Sequence, residues 1–264
     1  MNKMIYKYRD WENLIQRRFI TNNELFFASP KSLNDPLELM NIFHFELLDY
    51  NKKIKFAADT IRNTEYWLSE QVIQEKAKKW VDDDKDNDYK SLKKHGRKLT
   101  KDFRKNVGVF SACNTGDNNH LWINYANNYR GFCIGYDFEE LREYMSKRGV
   151  GGFGGDVSYY DTLPIILPDL DKNLFDLFQL CLTKLRIWEP EDENRFLKFR
   201  FVNRKWSIKS SIIKEIIIGQ DINEKSKAKL MKYVLRKYHD CKIYIAYKPD
   251  ILTDKKAKLI EMKK

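Results

Sequence analysis

Residues 106–138 read NVGVFSACNTGDNNHLWINYANNYRGFCIGYDF, and this stretch decides the fold. NVGVFSACN and GFCIGYDF are rich in apolar and β-compatible residues and read as strands. Between them, Leu121, Trp122, Tyr125 and Ala126 recur at the spacing of one helical face, so two β segments bracket a short helix. Asp137 with Glu140 three residues on forms a capping box, which predicts a helix from Phe138 toward Lys147 that stops at Gly149.

Toward the N-terminus, Met4 to Tyr8 and Leu25 to Ser29 read as short strands with a helical WENLIQRRFI between them, a β-α-β opening. SPKSLNDPLE follows, and its prolines, serines and Asn-Asp pair predict a fixed turn or loop. Helical patterns from about Ala57 to Trp80 and from Tyr89 to Lys105 flank the acidic VDDDKDNDY, which predicts a helical insertion at about 50–105. Toward the C-terminus, DVSYYD reads as a strand and LFDLFQLCLTKLRIW as an apolar helix ending near Trp188-Glu189-Pro190. DENRFLKFRF reads as extended. IIKEIIIG, the basic amphipathic KAKLMKYVLRKYHD and CKIYIAY then give strand, helix and strand. No repeat or flexible linker interrupts the chain. The expectation is one α/β domain over residues 1–264, with a central, mostly antiparallel sheet, surrounding helices and the helical insertion.

Composition bounds the partners. With 42% hydrophobic and 14% aromatic residues the chain can bury a core, and no apolar run approaches the roughly 20 residues of a spanning helix. MNKMIYKYRDW lacks the apolar segment of a signal peptide, so the expectation is a soluble, cytoplasmic protein with no membrane partner. Cys113, Cys133, Cys181 and Cys241 are scattered without a CxxC pair, and the four histidines have no paired spacing, so no metal site is assigned. The net charge of +11 favours nucleic acid or a nucleotide. Enrichment in Lys, Ile and Asn also arises from skewed base composition of a gene, so charge alone assigns no partner.

Gly149 to Gly154, GVGGFG, satisfies GxGxxG, but a helix precedes it and a strand follows. That order reverses a dinucleotide fingerprint and favours a connecting loop. Glu191-Asp192-Glu193-Asn194-Arg195 is the most informative acidic group. In an extended strand Glu191, Glu193 and Arg195 share one face. Two carboxylates there could stabilise a developing cation, align a hydroxyl or bind a divalent metal, with Arg195 tuning them or gripping a phosphate. The same residues also make an ordinary ion-pair ladder. Asn34-Asp35-Pro36 either holds a turn or reaches a ligand. Tyr125 either packs in the core or presents its hydroxyl to a site. Tyr6, Lys7, Tyr8 and Arg9 combine aromatic faces with cations, as suits a nucleotide or an amphipathic strand.

In order, YKY, LFFASPKSLNDPLE, VFSACN, LWINYANNYRGFCIGYD, VSYYD and KLRIWEPEDENR resemble domain-of-unknown-function family 2971 of bacteria and phages over nearly the whole chain. Asn34-Asp35-Pro36, Trp122 to Ala126, Gly131 and the set Lys184, Trp188, Glu191, Glu193, Arg195 match best, and the insertion matches least. The resemblance implies a part in phage-defence or toxin-like systems, with a protein partner possible there, and a layout similar to ADP-ribosyltransferases. It makes Glu193 the catalytic glutamate and Glu191 its partner, with Tyr8 or Arg9 and the Ser29 to Asp35 loop around NAD. Two departures stand against it: no Ser-Thr-Ser motif follows the second strand, and no histidine lies on the first. The leading expectation is an NAD-dependent ADP-ribosyltransferase-like enzyme acting on nucleic acid or protein, with Glu193, Glu191 and Tyr125 catalytic and Tyr8, Arg9, Ser29, Asn34, Asp35 and Arg195 around NAD. One rival is a metal-dependent nuclease holding Mg2+ on Asp35, Glu38, Glu191 and Glu193. The other is a non-catalytic nucleic-acid-binding or sensor module.

Overall fold

The computed structural model describes residues 2–40, 43–83, 88–147, 153–165, 181–250 and 254–262. Strands β1 (Met4–Arg9), β3 (Val107–Cys113), β4 (Phe132–Asp137), β5 (Phe153–Asp156), β8 (Glu193–Phe199), β10 (Ile213–Gly219), β11 (Lys242–Tyr247) and β12 (Lys258–Glu261) form one sheet in the order β12-β11-β10-β4-β1-β3-β8-β5. Every neighbouring pair is antiparallel except β10 with β11, which are joined by helix α7 (Glu224–Lys237) as a crossover. Two small sheets flank it: β2 (Glu24–Phe27) with β9 (Arg204–Ser207), and β6 (Ser158–Tyr160) with β7 (Thr183–Leu185). The mixed fold with a large, mostly antiparallel sheet is the expected class.

The strands alternate as a sheet buried on both faces requires. Phe132, Ile134 and Tyr136 of β4 join Ile5, Phe110, Ile216 and Ile218 under helices α1 (Leu14–Thr21), α6 (Phe138–Lys147) and α7. Cys133, Ile217 and Tyr8 face the other way, toward Trp122 and Ala126, which belong to α5 (Asn119–Asn124) and the turn after it. That turn holds Asn127, Asn128 and Tyr129 at φ of 49°, 51° and 65°, in the left-handed region that costs non-glycine residues energy. Burial offsets this cost. Tyr129 stacks on Trp122 with ring centroids 5.2 Å apart and donates its hydroxyl to Asn119 at 2.8 Å. The turn also lies directly on β10, where a Cβ at Gly219 would sit 2.1 Å from the Tyr129 carbonyl oxygen. Gly219→Ala is therefore expected to cost about 1–3 kcal/mol, the usual range for overpacking against atoms that cannot move aside. Urea unfolding measures it, and an unchanged midpoint would show the turn to be adjustable.

Two expected helices resolve differently. The pattern from Ala57 to Trp80 divides into α2 (Tyr50–Thr64) and α3 (Glu70–Asp83), because the chain turns at 65–69, where the Leu68 N–H reaches the Glu65 carbonyl and Ser69 starts a new helix. With α4 (Asp88–Asn106) they make the insertion, which carries small cores of its own around Ala57, Ile73 and Ala77 and around Phe45 and Phe56. The apolar helix expected through Cys181 to Trp188 is absent from its described part. Thr183–Leu185 is a strand and Arg186–Glu191 a 3-10 helix; residues 174–180 of that stretch lie outside the described residues, as do Gly149 to Gly152 of the glycine run. The apolar spacing misled because Leu182 packs inward against Leu197 while Ile187 points to solvent, and β6 supplies parallel backbone partners. Among the described residues no helix is long and apolar enough to cross a membrane.

Candidate functional site at a split in the sheet

The central sheet is nearly two sheets. β1 pairs with β4 at six positions and β3 with β8 at seven, but β1 and β3 pair only at Tyr6 with Cys113. Beyond that point the two strands part, and a cleft of about 280 Å³ opens between them. Because β3 has peeled away, both sides of β1 border the opening. Lys7 and Arg9 enter from the face of Ile5, and Tyr6 and Tyr8 from the other. The Lys7 ammonium bridges the split by donating to the Ser111 carbonyl, which satisfies a backbone acceptor that the ladder leaves unpaired.

The far wall is a charged lattice. Arg195 of β8 is wholly buried and forks onto both oxygens of Glu38 (2.7 and 2.7 Å) and both of Glu193 (2.6 and 3.0 Å), with the Cys181 carbonyl at 2.8 Å. Lys184 of β7 bridges Glu191 at 2.7 Å and Glu193 at 3.0 Å. Glu191 and Glu193 do not share a strand as the sequence suggested. Glu191 ends the 3-10 helix, Asp192 turns through φ 43°, and β8 begins at Glu193. The two carboxylates still converge, because Lys184 draws them together. Burial alone would push the Glu193 carboxyl up, but Arg195 and Lys184 outweigh it and hold it at about 2. Glu38, deeper and desolvated, is held above the usual carboxylate range despite Arg195.

Besides Lys184 on its Oε2, Glu191 has uncharged partners on its Oε1. The Tyr125 hydroxyl donates to its Oε1 at 2.6 Å, and Asn34 Nδ2 reaches the same oxygen at 3.0 Å and the Tyr125 hydroxyl at 2.6 Å. Helix α5 aims Tyr125. Its N-cap Asn118 accepts from the Leu121 N–H and donates to the Pro190 carbonyl, tying α5 to the turn that carries Glu191.

The remaining expected residues divide. Arg9 lines the cleft, but Tyr8 is almost fully buried, and its hydroxyl donates to the Thr115 carbonyl (2.8 Å) and accepts from the Asn118 N–H (3.0 Å), so it braces the wall. Ser29 lies off the cleft lining and caps the short helix Pro30–Ser32. Asp35 is buried in the turn, accepting from the Leu37 N–H at 2.8 Å. Arg195 is committed to its two glutamates and is not free to grip a phosphate. Lys184 received no role in the sequence reading, since its position read as helical. A lysine seven residues before the first glutamate of a Glu-x-Glu pair was the available signal.

Charge singles out Arg9. Lys184 and Arg195 pair with Glu38, Glu191 and Glu193. Lys7 joins no ion pair among the described residues and is held well below the ordinary lysine range by burial and by Arg9. Arg9 itself makes no ion pair among the described residues. Its Nη1 donates to the Tyr8 carbonyl at 3.3 Å, its plane lies 4.1 Å from the Phe19 ring centre, and its buried Nε has no partner. Desolvation lowers it to about 10. A half-buried guanidinium with an unpartnered Nε can take a planar or tetrahedral anion. Among the described residues no group of three or more His, Cys, Asp or Glu side chains could hold a metal ion. Comparison of the chain with family models, with curated proteins and with solved structures gives no match.

Proposed function

We propose that the protein is an NAD-dependent ADP-ribosyltransferase-like enzyme whose nucleotide lies in the split between β1 and β3. The observation that carries this reading is the pairing, across one cleft, of Arg9, which has no ion-pair partner among the described residues, with the Glu191, Tyr125 and Asn34 cluster. Arg9 suits a pyrophosphate, and Lys7 beside it adds a hydrogen-bond donor whose charged form a bound anion would favour. NAD, when bound, supplies the ADP-ribosyl group and a nicotinamide leaving group. Glu191 accepts a ribose hydroxyl and puts its negative charge beside the carbon where positive charge develops. Tyr125 and Asn34 fix the carboxylate in place for that task, while Lys184 holds its second oxygen. This assignment moves the reacting role from Glu193 to Glu191, because Glu193 is saturated by two cations. The resemblance to family 2971 adds the setting, an effector in phage defence or a toxin system.

The nuclease reading needs Glu191 and Glu193 to share a magnesium ion. Lys184 occupies the place between them, Arg195 covers Glu38, and Asp35 is turned into its own loop, so the donor set fits a metal poorly. Isothermal titration with NAD tests the proposal. Saturable binding is expected, weakened roughly 10- to 100-fold in Arg9→Met, the size of a lost charge-assisted contact. Absence of NAD binding together with magnesium-dependent cleavage of an oligonucleotide would overturn it.

A further inference from the structure

A second concavity, of about 450 Å³, lies between α1 and α7. We infer that it docks a single-stranded polynucleotide. One wall is a stripe on α7: Lys229, Lys232, Tyr233 and Arg236 stand at i, i+3, i+4 and i+7, on one helical face about 10 Å long at a rise of roughly 1.5 Å per residue. The other wall is Arg17, which donates to the Trp11 carbonyl and lies over the Trp11 ring at 4.8 Å. Lys229, Lys232 and Arg236 have no ion-pair partner among the described residues. The neighbouring carboxylate, Glu12, already accepts from Ser226 (2.8 Å) and Asn223 (3.3 Å) and lies 3.5 Å from Arg17.

The occupant follows from shape and charge. Three unpaired cations spaced along two helical turns fit successive phosphates of a polymer rather than one phosphate group. Tyr233, 42% exposed among them, offers a ring on which an unpaired base stacks, which favours a single strand over a duplex. An anionic membrane fits poorly. A surface helix enters a bilayer by its apolar face, and here that face, with Leu230 and Val234, is fully buried in the core. The groove also adjoins the cleft along the chain. β1 delivers Arg9 to the cleft, and Trp11 two residues later, within about 7 Å of extended backbone, lines the groove. A strand held there lies beside the proposed transfer site as its acceptor, although docking itself does not depend on NAD.

Fluorescence anisotropy with a labelled oligothymidylate, on the full chain at several salt concentrations, tests this. Lys229→Gln/Lys232→Gln/Arg236→Gln is expected to weaken binding at least tenfold at low salt and to reduce the slope of log affinity on log salt by about 2, at roughly 0.7 per phosphate contact. Tyr233→Ala is expected to weaken binding about 5- to 100-fold with the slope unchanged. All four positions are on the surface, so circular dichroism and NAD titration of the variants should match the parent, which separates this surface from the cleft. The inference is overturned if the parent does not bind the oligonucleotide, if the triple variant keeps affinity and slope, or if the substitutions abolish binding to anionic phospholipid vesicles while sparing the oligonucleotide.

Discussion

Replacing Arg195 with methionine is expected to lower the unfolding free energy by about 3–5 kcal/mol at neutral pH, the cost of removing one partner from a buried charge network. Methionine restores most of the volume, so the loss is electrostatic rather than a cavity. Glu38 and Glu193 would each lose a bidentate guanidinium in an interior where the side chains have almost no contact with water. Lys184 reaches Glu193 but not Glu38 within 4 Å, and cannot replace it. The pH dependence identifies the cause. In the parent, Glu193 is held at about 2, below the ordinary value near 4.3 of the unfolded chain, so it contributes stability above pH ~4.3 that is lost as pH falls toward 2. Glu38 runs the other way: held above the ordinary range, it favours the fold when protonated, below pH ~4.3, and that contribution is lost as pH rises through its folded value. Without Arg195 both carboxyls rise, so both become easier to neutralise. The deficit of the variant should therefore shrink between pH 7.5 and 5 in urea unfolding curves. A deficit below 1 kcal/mol, or one that does not change with pH, would mean that the network relaxes around the loss.

Much of this lattice was legible in the sequence, and the reason it was legible also limited the reading. Period-2 and period-3.6 patterns respond to burial, so β3, β4, β10, β11, α6 and α7 were visible as segments. The Glu-x-Glu-x-Arg spacing announced converging charge, and Arg195 does meet Glu193 on β8. Pairing partners leave no such trace. That β1 touches β3 at one position only, and so opens a cleft, depends on contacts between residues about a hundred positions apart. Lys184 was named only within the resemblance, and its role was concealed because leucines and an isoleucine around it imitate helical spacing, whereas its backbone pairs with β6 and its ammonium bridges two carboxylates. Asp192 shows the same limit in one residue. Its left-handed conformation turns the chain between two glutamates that spacing alone places on one straight strand.

The two glutamates therefore should not fail alike. Glu191→Gln keeps the shape of the side chain: its amide oxygen can still accept from Tyr125 and Asn34, its amide nitrogen then faces the Lys184 ammonium, and Lys184 retains Glu193. Unfolding should shift by about 1–3 kcal/mol, the cost of a buried donor that loses one acceptor while Lys184 keeps Glu193 as its ion-pair partner. What is lost is the negative charge in the cleft, and under the proposed function NAD turnover is expected to fall about 10²- to 10³-fold, as when one preorganised electrostatic contact is removed from a reacting centre. NAD affinity, which the proposal assigns to Arg9, should remain within a few-fold. Glu193→Gln does the reverse. Arg195 keeps only Glu38 as a charged partner and Lys184 keeps only Glu191, so stability should drop by several kcal/mol while the folded fraction retains much of its turnover. Measuring turnover per folded molecule, with the folded fraction taken from circular dichroism at the same temperature, separates the two effects. If Glu193→Gln stays folded and loses turnover while Glu191→Gln keeps it, the reacting carboxylate is Glu193, and Lys184 and Arg195 must then release it when the nucleotide enters.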